Sequence, residues 1–296
     1  MKLIALLFGL ALEHVATRRL RLRELRFFDP YFDFALARVR RLSTGAAAAV
    51  LAAFLLLATA PVLWIDRVLD QAFVRWDVPY LVFAVLVVFL CLGPRDLGSE
   101  VDDYCAALDR GDQDEARRVM TELAESRHAM PRDVDAVEEA IFVQATNRIF
   151  GVAFWFVVLG PVGAWLFRVS DLLRRRAAFE SARDYGVARA GLPAAEALHG
   201  VLAWLPARLA ALGYALAGSF DDAWNRWRSV TPAPGKPFHV HTERLSAQVG
   251  KAAMTGFLEQ PANSSAAARN ALRLVMRTLF IWVTVIALMT IFGWAV

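Results

Sequence analysis

The stretch FGVAFWFVVLGPVGAWLFRV, residues 150–169, decides how this chain folds. Its twenty residues are almost all apolar, and Gly160-Pro161 stands at the centre. A run of that length can cross a hydrocarbon core of about 30 Å. An arginine series begins inside its last turn: Arg168, Arg174, Arg175, Arg176, Arg183 and Arg189. Arginines flanking membrane helices collect on the cytoplasmic side. Two arrangements are self-consistent. In one, the segment enters the membrane, turns at Gly160-Pro161 and returns, and the arginines stay cytoplasmic. In the other it spans as a single kinked helix, and residues 197–218 span back. The second arrangement puts Arg208 at mid-bilayer, a cost of about 2.5–3.5 kcal/mol on insertion scales. Pro206 also removes a backbone donor near it. Those costs favour re-entry, with residues 197–218 at the interface or against other helices.

The rest of the chain agrees with a membrane setting. The 296 residues are 57% hydrophobic, with a mean hydropathy of +0.41, and the apolar residues are gathered in blocks. The net charge of +4 suits cytoplasmic loops. No RNA- or DNA-binding motif accompanies it, so nucleic acid is not an expected partner. Cys91 lies in an apolar run and Cys105 in a charged one, which argues against a disulfide. The start MKLIALLFGLALEHVATRR has an apolar core without a small-residue cleavage site and reads as a retained first helix.

Besides residues 150–169, apolar blocks cover residues 3–15, 44–65, 78–92 and 278–296. The second is free of charge and long enough for roughly 33 Å of helix. Residues 18–41 carry eight arginines and read as a cytoplasmic loop. Residues 66–77 carry Arg67 and Arg75 against three aspartates and read as external. Residues 94–149 return to the cytoplasm with seven arginines. Within them SEVDDYCAALDRGDQDEARRVMTELAES predicts two helices joined at Arg110-Gly111-Asp112. Their apolar stripe is Tyr104, Leu108, Ala116, Val119, Met120 and Leu123. A further helix is expected from Met130-Pro131 to Asn147. Residues 229–240 read as a Pro/Gly-rich loop, residues 242–256 as a short amphipathic helix, and residues 259–268 as a linker.

The expected class is an all-α integral membrane protein. It has about four transmembrane helices, a re-entrant Gly-Pro hairpin and a cytoplasmic helical insert. Five segments follow: membrane helices with an Arg-rich loop (1–93), the insert (94–149), the hairpin and interfacial helices (150–218), a cytoplasmic loop region (219–271) and a last transmembrane helix (272–296).

No Walker loop, GxGxxG, GxSxG or HExxH motif is present. His239-Val-His241 has metal-ligand spacing, but in a proline-rich loop it reads as solvent-facing. Glu13 beside His14 reads as a helix-end residue near Arg18, or as a group facing a polar cavity shared with Arg168 or Arg208. A closed hairpin would gather Asn147 and Arg148 with Arg168 and Asp171, and Arg208 would arrive from the next segment. Converging guanidinium groups suit a phosphate- or carboxylate-bearing ligand, because they bind such anions through paired hydrogen bonds. Arginine at a membrane face also serves as ordinary headgroup anchoring.

Four stretches carry a family resemblance: residues 11–34, 104–123, 140–168 and 201–224. They resemble the AmpE family, inner-membrane proteins associated with regulating β-lactamase induction. That family is similar to the CobD/CbiB enzymes of cobalamin biosynthesis, which use ATP to join adenosylcobyric acid to an amino alcohol. The resemblance implies a multi-pass protein of the bacterial inner (cytoplasmic) membrane with a role in signalling, β-lactamase regulation and antibiotic resistance.

The departures bear on chemistry. The enzymes carry a pattern I-E-S-x-A-E-N-x-x-D-G before their hairpin. Here Asn147 and Gly151 remain, while Phe142 and Thr146 replace the glutamates and Phe150 the aspartate. Magnesium with nucleotide needs carboxylate oxygens. The expected molecule therefore keeps a cytoplasm-facing anion-binding cavity and is not expected to be an enzyme. ATP with magnesium is the cofactor that the resemblance raises; an ATP-dependent amide synthase is the alternative function. The expected partners are the lipid bilayer, a small anion (a nucleotide or a muropeptide), another membrane protein and a second copy of the chain.

Overall fold

Backbone polar groups in an apolar surround must be satisfied within the chain, and a helix does this locally. The computed structural model describes residues 5–9, 25–72, 78–92, 97–123, 134–232, 235, 237–255 and 264–292. Among these residues the regular structure is helical, without a strand. The helices are α1 (Asp29–Val39), α2 (Thr44–Ala72), α3 (Val78–Cys91), α4 (Leu97–Asp109), α5 (Gln113–Leu123) and α6 (Val134–Ala145). A π-helical turn, Thr146–Phe150, leads into α7 (Gly151–Ser181). A second π turn, Val187–Gly191, leads into α8 (Leu192–Ala217). Then come α9 (Phe220–Ser229), α10 (Phe238–Met254) and α11 (Ser264–Ile291).

Four helical runs are long and apolar enough to cross a membrane: Thr44–Leu69, Val137–Ser181, Val187–Ala217 and Ser264–Ile291. The chain is an all-α membrane protein. The second run is not one rod. Gly160 has φ 66° and ψ −154°, a conformation open to glycine because a Cβ would clash. The two limbs it joins fold back on each other. A Cβ on Gly163 would strike the Trp155 carbonyl oxygen and come within 2.7 Å of the Leu159 Cβ. A Cβ on Gly151 would strike the Phe167 ring. In a continuous helix residues 151 and 167 would lie about 24 Å apart. The chain thus reverses at Gly160.

The structure forms two compact units. The first comprises residues 1–94, 151–203 and 289–296. Its centre is the α7 hairpin, packed by α1, α2 and α3. Indole and phenol groups tie neighbouring helices together by bonding helix carbonyls. Trp155 Nε1 donates to the Leu202 carbonyl at 2.9 Å, the acceptor that Pro206 cannot serve. Trp165 Nε1 donates to Ala58 O at 3.2 Å, one turn before Pro61 in α2. Tyr31 Oη donates to Phe54 O at 2.6 Å and ties α1 to the span. The outward faces of these helices are apolar, with Leu56, Leu57 and Trp64 exposed.

The second unit comprises residues 95–150 and 204–288. Helices α4 and α5 meet at Gly111, which takes φ 76°, and bury Tyr104, Ala116, Val119 and Leu123 as the stripe requires. The C-terminal half of α8 crosses α11 closely, since a Cβ on Gly213 would lie 2.6 Å from the Thr278 Cγ2. Small residues at such crossings let backbones approach.

Three expectations change. The last helix begins at Ser264, so residues 264–268 are helical and not linker; three successive alanines continue the helix without side-chain entropy cost. Helix α10 begins at Phe238, so His239 and His241 stand on its first turn, behind Pro237 at the N-cap, and both are half-buried. Within residues 219–271 the helix expected at 242–256 is present as α10, and α9 and the start of α11 are added to it. Most of the stretch expected as the first helix, with Glu13, His14 and Arg18, and the helix start expected at Met130-Pro131 lie outside the described residues.

Candidate functional site

The second limb of α7 carries the charged centre of the first unit. Positions three and four apart on a helix share a face, and Asp171 has arginines at both intervals. Its Oδ1 accepts from Arg174 Nη2 at 2.7 Å. Its Oδ2 accepts from Arg175 Nε at 2.9 Å and from Arg168 Nη1 at 3.2 Å. Asp171 is 0% exposed and Arg168 1%. Two further groups close over it. Ser170 Oγ donates its one proton to Phe167 O at 2.7 Å. It also bonds His199 Nδ1 at 3.0 Å, and His199 Nε2 faces Asp171 Oδ1 at 4.0 Å.

The next residues on this limb open to a cavity of about 330 Å³. Leu172, Arg175, Arg176 and Phe179 form one wall; Leu25, Asp29 and Phe32 form the other. Arg175 thus joins the buried carboxylate to the cavity. Arg176 clamps α1 to α7 through Asp33, with Nε and Nη2 at 2.6 and 2.7 Å from the two carboxylate oxygens. Its Nη1 stands 3.8 Å from Asp29 across the opening.

The other expected site residues lie in the second unit. Arg148 Nη1 donates to Glu100 Oε2 at 2.8 Å, a pair buried on both sides. Asn147 is buried in the same π turn. Arg208 turns back along its own helix, donating to Trp204 O at 3.0 Å and lying 4.1 Å over the Trp204 ring. It also faces α10: burial, then the charges of Arg208 and Arg244, push His241 below the ordinary imidazole range. Arg168 and Asp171 are therefore brought together in one unit, while Asn147, Arg148 and Arg208 belong to the other.

Sequence reasoning left Arg174, Arg175 and His199 out of the site. The spacing of the two arginines from Asp171 was a usable signal. His199 comes from another helix and has no local signal, and the same holds for Glu100 beside Arg148.

The positions that the resemblance matches to the enzymes' acids, Phe142, Thr146 and Phe150, lie in a packed aromatic core. The Phe142 and Tyr214 rings are 4.9 Å apart, Phe150 and Tyr214 5.8 Å, and Phe150 and Trp282 5.1 Å. Thr146 Oγ1 bonds Phe142 O at 3.0 Å and Ser246 Oγ at 2.9 Å. These residues offer magnesium no carboxylate and no room. Among the described residues no group of three or more His, Cys, Asp or Glu side chains could hold a metal ion.

Comparison with known proteins accords with this arrangement. A protein named cobalamin biosynthesis protein CobD from Stutzerimonas stutzeri (strain A1501) is 31% identical over 183 residues, 59% of each chain. Another of that name from Chromobacterium violaceum is 30% identical over 167 residues, 54% of this chain and 51% of the relative. The chain thus matches only about half to three fifths of those relatives' length. The protein named AmpE from Shigella flexneri is 28% identical over 233 residues, 74% of this chain and 77% of the relative. No solved structure matches. The family model described as regulatory signalling modulator protein AmpE matches residues 1–296, and the chain belongs to the AmpE family.

Proposed function

We propose that this chain is a regulatory protein of the bacterial inner membrane that binds an anion at the arginine centre of its first unit. Its occupancy bears on cell-wall sensing and β-lactamase induction. The observation that carries the reading is the fully buried Asp171, shared by Arg168, Arg174 and Arg175, with Arg175 reaching the cavity that Arg176 also lines. A buried charge cluster is expensive and is weak evidence for stability. Ionisable groups inside apolar helices are functional-site candidates by default. The family description, regulatory signalling modulator, supports the signalling half. Amide synthesis of the CobD type has less support, because Phe142 and Phe150 fill the positions of the metal-binding acids.

The test is calorimetric titration of the detergent-solubilised protein with Mg-ATP and with a muropeptide, beside an Arg175→Gln, Arg176→Gln double variant. Saturable binding that the variant weakens by about tenfold or more is expected, the loss of at least one charge-assisted hydrogen bond. Binding equal in both proteins would overturn the reading.

A further inference from the structure

The walls of this cavity narrow the class of anion. Each wall is a helical stripe that sets charge between apolar groups: Leu25, Asp29 and Phe32 on one side, Leu172, Arg175, Arg176 and Phe179 on the other. A purely ionic ligand would leave half of that lining unused. The setting is also that of a membrane surface. Helix α1 is anchored to the apolar span α2 by Tyr31, whose Oη donates to Phe54 O. Phe28 packs 5.9 Å from Trp165 of the hairpin. On the same two helices and the turn before them, Phe27, Phe34 and Phe179 are exposed at 67%, 50% and 48%. Guanidinium groups cover two of these rings: Arg38 lies 4.4 Å over Phe34, and Arg183 and Arg176 lie 4.1 and 5.1 Å over Phe179. Rings at the acyl boundary with arginines above them are the pattern of the headgroup layer. The cavity wall holds one strained residue as well. Leu25 has φ 51°, a conformation that costs a bulky side chain roughly 1–3 kcal/mol and tends to persist at ligand sites. At about 330 Å³ the cavity sits at the small end of ligand pockets, the size of a headgroup and not of a whole lipid.

We infer that the cavity is a headgroup site for an anionic phospholipid. Its phosphate lies against Arg175 and Arg176, and its glycerol and first acyl carbons lie against Leu25, Phe32, Leu172 and Phe179. Basic pockets between membrane helices take such headgroups. The inference rests on the anion reading above and names the class of anion.

The experiment is native mass spectrometry of the full chain released from nanodiscs of phosphatidylcholine with a minor share of phosphatidylglycerol. Three proteins are compared: the wild type, Arg175→Gln, and Leu172→Trp, which fills the cavity without changing charge. Inorganic phosphate and Mg-ATP are added as competitors. The wild type is expected to retain phosphatidylglycerol in preference to phosphatidylcholine. Both variants should lose about tenfold of that preference, and phosphate should not displace the lipid. Equal retention by all three proteins would overturn the inference. Phosphate or ATP bound at Arg175 without lipid would also overturn it while leaving the anion reading intact. If neither lipid nor soluble anion binds, both readings fall.

Discussion

An ideal Cβ on Gly250 would lie 2.7 Å from the Phe142 ring, and that ring stands 4.9 Å from Tyr214. A carboxylate here would be buried without a partner, so Phe142→Glu is expected to cost more than the roughly 3–5 kcal/mol typical of Phe→Ala in a core. Thermal unfolding in detergent checks this, and a stable variant that binds magnesium would contradict it. Glu100 and Arg148 are a buried pair of the opposite kind. Glu100→Ala alone should destabilise by about 3–5 kcal/mol, and the double variant Glu100→Ala, Arg148→Met should recover part of the loss. A double variant no better than the single would contradict the pairing. His241 supplies a pH dependence. Its folded pKa lies below the ordinary value, so both states are neutral above about pH 6.5. Below that pH the unfolded chain takes the proton first and stability falls. Replacing it by glutamine should flatten the fall in thermal midpoint between pH 7 and about pH 5. At this scale the sequence displayed local pairs and hid distant ones. The spacing of Arg168, Arg174 and Arg175 about Asp171 is helical arithmetic. His199, 28 residues from Asp171 in the chain, could not be placed beside it before the fold was known.

The elements were more legible than their ends. Apolar blocks located α2, α3 and the α7 hairpin, and the Arg110-Gly111-Asp112 turn separated α4 from α5. What failed was the polar flank. Pro237 and the serines at 264–265 looked like loop, yet the first is a helix N-cap and the second begin α11, because turn-formers also start helices. Gly160 and Gly163 hold the hairpin for different reasons, and the difference is measurable. Gly160→Ala meets a backbone conformation that L-residues avoid and should cost about 1–3 kcal/mol. Gly163→Val meets the Trp155 carbonyl and should cost about as much or more by overpacking. Unfolding of both variants in one detergent checks the pair. A neutral Gly163→Val would mean that the two limbs are not in contact.

At the scale of the whole molecule, the hairpin decides which face of the membrane the arginines occupy. A reversal at Gly160 returns the chain to the side it came from, and the limb that follows carries Arg174, Arg175, Arg176 and Arg183 into the residues around Tyr185. On the proposal above, and by the excess of arginine, that side is the cytoplasm. The most direct test is the labelling of one cysteine. Tyr185 is 83% exposed, whereas Cys91 and Cys105 are buried, so Tyr185→Cys gives a single accessible thiol among the described residues. A membrane-impermeant maleimide is applied to intact spheroplasts and to inside-out membrane vesicles. Labelling is expected in the inside-out vesicles and none in the spheroplasts. Labelling from outside the cell would mean that the segment crosses the membrane, and the cytoplasmic anion site would have to be abandoned.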